Sequence, residues 1–257
     1  MTTFPSSRFR NIVLDIEGTI CPISFVKDEL FPYFLTQLPD YLSRYKFPLD
    51  PNNDNNDEIE KILTQFDESL YQSKDLLLKH LQQLVADDIK DSTLKQLQGF
   101  IWENGYTTGS IMAPLYKDAI ESIKLWSALC DGVHIYSSGS VKAQKLLLGN
   151  VKIENENESI ECADMTGLID DYFDTVNIGK KTDTSSYTKI LAKIGIAEND
   201  KEAAKECLFL SDNPLEVKAA LASGMSSYIV VKPGNYPLSE SEKSKYEQID
   251  DLRKLFD

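Results

Sequence analysis

Four short, largely apolar runs, each closed by a polar cluster, most constrain what this chain can fold into. They are Ile12-Val13-Leu14, Val133-His134-Ile135-Tyr136, Cys207-Leu208-Phe209-Leu210 and Tyr228-Ile229-Val230-Val231. Unbroken β-branched, aliphatic and aromatic residues need cover on both faces, which an interior strand of a parallel sheet receives. The helical stretches between the runs supply the crossovers that parallel strands require. The expectation is an α/β protein with a doubly wound parallel sheet, and in such sheets ligands bind outside the carboxyl ends of the strands.

Those ends carry the informative residues. Asp15, Glu17, Gly18 and Thr19 follow the first run, Ser137 and Ser138 the second, and Asp212 the third. Lys181 lies in the turn after a predicted strand end over 172–178. A carboxylate beside a second carboxylate at such an edge is a metal ligand, a nucleophile, or both. Magnesium takes oxygen ligands and keeps several waters and substrate oxygens. Hydroxyls and amides at a helix start hold phosphate oxygens, and a lysine neutralises charge on a transferring group. The set fits phosphoryl transfer.

Between the first run and the second lies a long stretch with no convincing strand. Helical spacing predicts helices over 24–38 (kinked or broken at Pro32 and ended by Pro39), 57–66 (capped by Asp57), 76–85, and 94–102 (capped by Ser92). The stretch closes on Gly105 and Gly109, residues suited to a hinge. The expected organisation is therefore a core of residues 1–24 and 109–257 with a helical domain of residues 25–108 inserted after the first strand. Two polar segments, 48–57 and 154–158, read as solvated loops. Gly179-Lys180-Lys181-Thr182 is not a Walker loop, because Asp174 stands where the first glycine is required.

Charge narrows the partners. With 41 acidic against 27 basic residues the net charge is -14, which repels nucleic-acid phosphates and anionic membranes. Cys21, Cys130, Cys162 and Cys207 form no C-x-x-C pair, and residues 1–10 lack the apolar stretch of a signal peptide, so a reducing cytoplasm is the expected compartment. Two histidines, His80 and His134, are too few for a histidine-rich zinc site.

The strand followed by Asp15-Ile16-Glu17-Gly18-Thr19 resembles the signature of haloacid dehalogenase-like (HAD) hydrolases, with Glu17 in place of the usual second aspartate. Further strings are similar to the enolase-phosphatases of methionine salvage within that superfamily. They are Phe25-Val26-Lys27-Asp28, Leu30-Phe31-Pro32-Tyr33, Leu97-Gln98-Gly99, Tyr136-Ser137-Ser138-Gly139-Ser140-Val141 and Val231-Lys232-Pro233-Gly234-Asn235. The match runs in order along nearly the whole chain.

The resemblance implies a HAD-like core with a helical cap that closes over the pocket. Asp15 is then nucleophile and Mg2+ ligand, and Glu17 supplies a backbone carbonyl to the metal and an acid-base side chain. Ser137, Ser138 and Lys181 bind phosphate and substrate, and Asp212 is the later metal ligand. Glu216 is expected to orient Asp212 or a metal-bound water, or to complement its helix dipole. The implied substrate is 2,3-diketo-5-methylthiopentyl-1-phosphate, converted through an enol phosphate to a dihydroxyketo methylthiopentene and phosphate. Phe25, Phe31 and Tyr106 are candidates for touching the methylthio tail, and a monomer is expected. The alternative is a HAD-type phosphatase of another small phosphate ester without enolase activity. A receiver-like signalling module shares the Asp, Ser and Lys set, but such modules are much shorter and lack an insertion of this size.

Overall fold

The structure, a computed structural model, describes residues 8–53, 57–89, 91–154 and 159–255. These form two compact units, one of Met1–Phe25 with Met112–Asp257 and one of Val26–Ile111. Residues 54–56 and 155–158, within the two expected polar loops, and residues 1–7, most of the stretch read for a signal peptide, lie outside the described residues.

The first unit begins with β1 (Asn11–Leu14), whose Ile12, Val13 and Leu14 are completely buried, as a strand covered on both faces must be.

In the second unit, a π-helical turn (Val26–Leu30) leads into α1 (Phe31–Ser43), followed by α2 (Glu58–Leu63), α3 (Lys74–Ala86) and α4 (Ser92–Thr107). Pro32 falls in the first turn of α1, where its missing N–H costs nothing, and it breaks no helix. Nor does Pro39 end one: α1 runs through it to Ser43. An internal proline costs about 3 kcal/mol. Phe34, Leu38, Tyr41 and Leu42 form one buried stripe at i, i+4, i+7 and i+8, each contributing about 2 kcal/mol. The stripe wins. Asp57 caps α2, its Oδ1 accepting from the Glu60 N–H at 2.8 Å. The cap of α4 is Asp91, accepting from the Leu94 N–H at 2.7 Å, and not Ser92, which is the first helical residue.

The first unit resumes with α5 (Lys117–Leu129), β2 (Gly132–Tyr136) and α6 (Val141–Leu148). An antiparallel pair, β3 (Val151–Glu154) and β4 (Ile160–Ala163), flanks the expected loop segment 154–158, and no strands were predicted there. Then come β5 (Asp171–Phe173), α7 (Thr184–Lys193), α8 (Lys201–Lys205), β6 (Cys207–Ser211), α9 (Pro214–Ala222), β7 (Ser226–Val230), α10 (Glu240–Lys245) and β8 (Gln248–Ile249). Six strands make one sheet in the order β5-β2-β1-β6-β7-β8, every pair parallel. This is the doubly wound sheet that the apolar runs imply. All four cysteines are free. Among the described residues no helix is long and apolar enough to cross a membrane.

Candidate active site

The sheet order reverses beside β1. From β1 the chain moves outward through β2 to β5, then returns to β6 on the other side and proceeds to β7 and β8. A crevice opens at the carboxyl end of such a switch point, between β1 and β6. Asp15 stands there, its backbone N–H donating to the Leu210 carbonyl at 2.9 Å as the last rung between the two strands. Ser211 and Asp212 close β6 opposite it.

Asp15 is 6% exposed, and both its carboxylate oxygens are engaged. Oδ1 accepts from the Ile16 N–H at 2.8 Å and faces Lys181 Nζ at 2.6 Å; Oδ2 accepts from Ser211 Oγ at 3.2 Å. Lys181, 8% exposed, also faces Glu216 Oε2 at 2.7 Å and lies 5.8 Å from the centre of the Tyr136 ring. Its ammonium has three donors and spends two on these carboxylates. Ser211 Oγ approaches Glu216 Oε2 at 2.9 Å and accepts from the Asn213 N–H at 3.1 Å. Having a single proton, it can donate to only one of the two carboxylates at a time.

The turn that presents Lys181 is fixed carbonyl by carbonyl. Lys189 Nζ donates to the Ile178 carbonyl (3.0 Å) and Tyr136 OH to that of Gly179 (2.8 Å). Ser186 Oγ donates to the Lys180 carbonyl (2.8 Å) and Tyr187 OH to that of Lys181 (2.6 Å). Upstream, Asp174 Oδ1 takes the N–H groups of Val176 and Asn177 at 2.9 and 2.7 Å, and its Oδ2 takes that of Val141 at 3.1 Å. A lysine held by both its backbone and its ammonium loses little further entropy when it acts.

Asp212 joins the group across Gly18. Gly18 has φ +72, and a Cβ there would fall 2.4 Å from Asp212 Oδ2. Gly18→Ala is therefore expected to cost about 1–2 kcal/mol of stability from the left-handed backbone alone. It would also displace the Asp212 carboxylate, lowering turnover about tenfold or more; urea unfolding and an initial-rate assay check the two effects separately.

Three carboxylates, Asp15, Asp212 and Glu216, thus lie within electrostatic reach of one ammonium, which pairs with Asp15 and Glu216. Burial works against the charge on Lys181, but Asp15 and Glu216 outweigh it and its pKa is raised. The surplus negative charge falls on the other two acids. Burial, then the charge of Asp15, pushes Glu216 up against the pull of Lys181. Burial, then Asp15 and Glu216, pushes Asp212 up to about 7 from 3.8. Between those two values the unfolded chain has released the Asp212 proton while the folded chain keeps it. This group therefore makes stability fall as pH rises across that window, with the penalty constant above it and absent below it. In EDTA, urea unfolding at pH 5 and pH 8 should show a smaller drop for Asp212→Asn than for the unsubstituted chain; equal drops would refute the assignment.

The remaining residues of interest lie around this cluster. Ser137 is buried at the end of β2, its N–H bonded to the Phe173 carbonyl at 3.1 Å and its Oγ accepting from the Gly139 N–H at 3.3 Å. Ser138 is exposed, and capping of α6 is left to Ser140. Neither Ser137 nor Ser138 makes a side-chain bond to Asp15 or Lys181 among the described residues. Glu17 is exposed on the turn. Glu216 lies in the first turn of α9, as complementing the helix dipole requires, and its direct partners are Lys181, Ser211 and Asn213 (3.4 Å). Ser211, Asp174 and Asn235 were given no role from the sequence. Position was a signal for all three, each bordering a strand end or its following turn, and Asn235 also closes one of the strings that carry the family resemblance.

No protein-family model matches the chain. It is 50% identical over 246 residues to the Enolase-phosphatase E1 of Scheffersomyces stipitis, covering 95% of this chain and 98% of that one. It is 48% identical over 245 residues to the Enolase-phosphatase E1 of Candida tropicalis, covering 95% and 97%. Among solved structures, the UTR4 protein of Saccharomyces cerevisiae superposes with a TM-score of 0.78 at 43% identity, over 96% of this chain and 99% of that one. The HAD-hydrolase YfnB of Bacillus subtilis, solved bound to magnesium, gives a TM-score of 0.52 at 14% identity over 97% of each chain, a likeness of fold.

Proposed function

The chain belongs to the enolase-phosphatase E1 family of HAD-like hydrolases, and on that premise we propose that it converts 2,3-diketo-5-methylthiopentyl-1-phosphate to 1,2-dihydroxy-3-keto-5-methylthiopentene and phosphate, with Mg2+ as cofactor. The observation that carries this reading is the Asp15–Lys181–Glu216 cluster at the sheet's switch point, with Asp212 against the same turn.

Magnesium fits the donors. They are hard oxygens, and the carboxylates outnumber the one ammonium, so a cation relieves the excess charge. Among the described residues no group of three or more His, Cys, Asp or Glu is arranged to hold a metal. Magnesium needs no such group, because it takes one or two protein carboxylates and keeps waters. Asp15, Asp212 and the Glu17 carbonyl would hold it, and when bound it supplies charge neutralisation at the phosphate and at the enolate oxygen.

The chain's own residues do the rest. The carbon beside a carbonyl gives up a proton and that carbonyl's oxygen regains one, so the enol phosphate is an isomer of the substrate, and Lys181 offsets charge on the oxygen while it is an enolate. An Asp15 oxygen then attacks phosphorus as the ester P–O bond breaks, and the leaving oxygen takes a proton from Glu17. Water hydrolyses the resulting aspartyl-phosphate, regenerating Asp15 and releasing phosphate. Ser137 and Ser138, in the turn after β2, the strand beside β1, bind phosphate oxygens. The helical unit of residues 26–111 takes the part of the cap. We place the enzyme in the cytoplasm as a monomer, a setting that its free cysteines suit.

Phosphate release from the diketo phosphate, followed with ultraviolet detection of the conjugated enol and repeated in EDTA, tests the proposal. Phosphate without the enol signal would reduce the protein to a phosphatase of small esters, and activity undiminished by EDTA would remove the metal. Asp212→Asn is expected to weaken Mg2+ binding about tenfold or more, read by isothermal titration calorimetry.

A further inference from the structure

Asn235, in the loop after β7, has a side chain whose two ends are in different situations. Its Nδ2 donates to the Gly18 carbonyl at 2.8 Å and to the Val230 carbonyl at 3.2 Å. Two carbonyl acceptors settle which end of the amide is nitrogen. Oδ1 therefore points the other way. It is buried and has no hydrogen-bond partner among the described residues. Buried acceptors are almost always satisfied, so an unpaired one marks a place where something donates.

The position of that oxygen narrows what the donor is. It lies 3.0 Å from where a Cβ on Gly18 would sit, and Asp212 Oδ2 lies 2.4 Å from the same point. Two acceptors, one of them a carboxylate, thus flank a small space that only a glycine at position 18 leaves open. With Asp212 ionised, as a metal ligand is, they repel each other unless a donor or a cation stands between them or beside them. A water on a divalent cation is a strong donor, because the ion's charge polarises its O–H bonds.

We propose that Asn235 is a positioning residue for the cation of this site, its Oδ1 accepting a hydrogen bond from a water on the ion that Asp15 and Asp212 hold. The inference rests on the metal reading above and extends it to a third strand end, that of β7. The Nδ2 bonds ensure that Oδ1 is presented in one orientation. The same amide ties the β7 loop to the turn that follows Asp15, so cation binding and the placement of the nucleophile share one side chain.

Calorimetric titration of the full chain with Mg2+, without substrate, tests it on Asn235→Ala, Asn235→Asp and Asp212→Asn. Both Asn235 variants lose the tether to Gly18, and both are expected to melt lower in EDTA. Only Asn235→Ala loses the acceptor, so its Mg2+ affinity should fall about tenfold or more, while Asn235→Asp stays within about threefold of the unsubstituted chain or binds more tightly. Equal affinity in all three Asn235 forms would overturn the proposal and leave the amide a tether. Equal weakening of both variants would overturn it too, by assigning the effect to the lost tether. If the unsubstituted chain takes up no Mg2+, the metal reading itself fails; if it does and only the Asn235 pattern is absent, that reading stands.

Discussion

Asp15→Asn is expected to lower phosphate release by roughly 10^4-fold or more, the scale on which losing a nucleophile is felt, while the chain stays folded. The fold survives because an asparagine keeps most of the local bonds. Its amide oxygen can still accept from the Ile16 N–H, and Lys181 retains Glu216 at 2.7 Å. Removing one of three carboxylates around a single ammonium also relieves repulsion, so the change in stability should stay within about 1 kcal/mol. What is lost is the anionic oxygen that attacks phosphorus, and neither Ser211 nor Glu216 can replace it at that position. Single-turnover phosphate release and a urea melt on one purified sample separate the two statements. Turnover near that of the unsubstituted chain would remove Asp15 as nucleophile, whatever the melt showed.

Lys181→Met is expected to destabilise the chain by about 3–5 kcal/mol, the cost of leaving buried charge without its partner. Methionine fills nearly the same volume, so packing changes little. Asp15 and Glu216 would then face each other across an apolar side chain, with Asp212 adding a third charge nearby. The loss should shrink as pH falls, because carboxyls already pushed up by burial and by one another take up protons first. Adding Glu216→Gln should restore part of the lost stability by removing one of the stranded charges. Urea unfolding of the single and double variants at pH 5 and pH 8 measures all of this. A Lys181→Met chain as stable as the parent at pH 8 would mean that the ion pairs contribute little, and the charge argument for the site would fall with it.

The elements legible in the sequence are those whose cause is local. A run such as Ile12-Val13-Leu14 or Cys207-Leu208-Phe209-Leu210 declares a two-face-buried strand by composition alone. Asp57 declares a helix start because its side chain reaches a backbone N–H three residues away. Local rules failed where tertiary contacts outweighed them. Pro39 sits inside α1 because the buried stripe on either side of it outweighs one lost hydrogen bond. The strand end expected within 172–178 falls at Phe173 because Asp174 draws two following N–H groups onto its own carboxylate and turns the chain. The hairpin of β3 and β4 escaped notice because Lys152, Glu154, Glu161 and Cys162 give it no buried alternation to read.

The sequence by itself determined that this is an α/β chain with acids, hydroxyls and a lysine at its strand ends, because strand burial and turn chemistry act over a few residues. Only the tertiary structure decided who meets whom. Ser211 reaches Asp15 across 196 positions, and Lys181 lies between Asp15 and Glu216. Those meetings follow from β1 and β6 being neighbours, a consequence of how the whole sheet is wound. The charge excess that favours a cation, and the unpaired Asn235 oxygen beside it, exist only once that winding is complete.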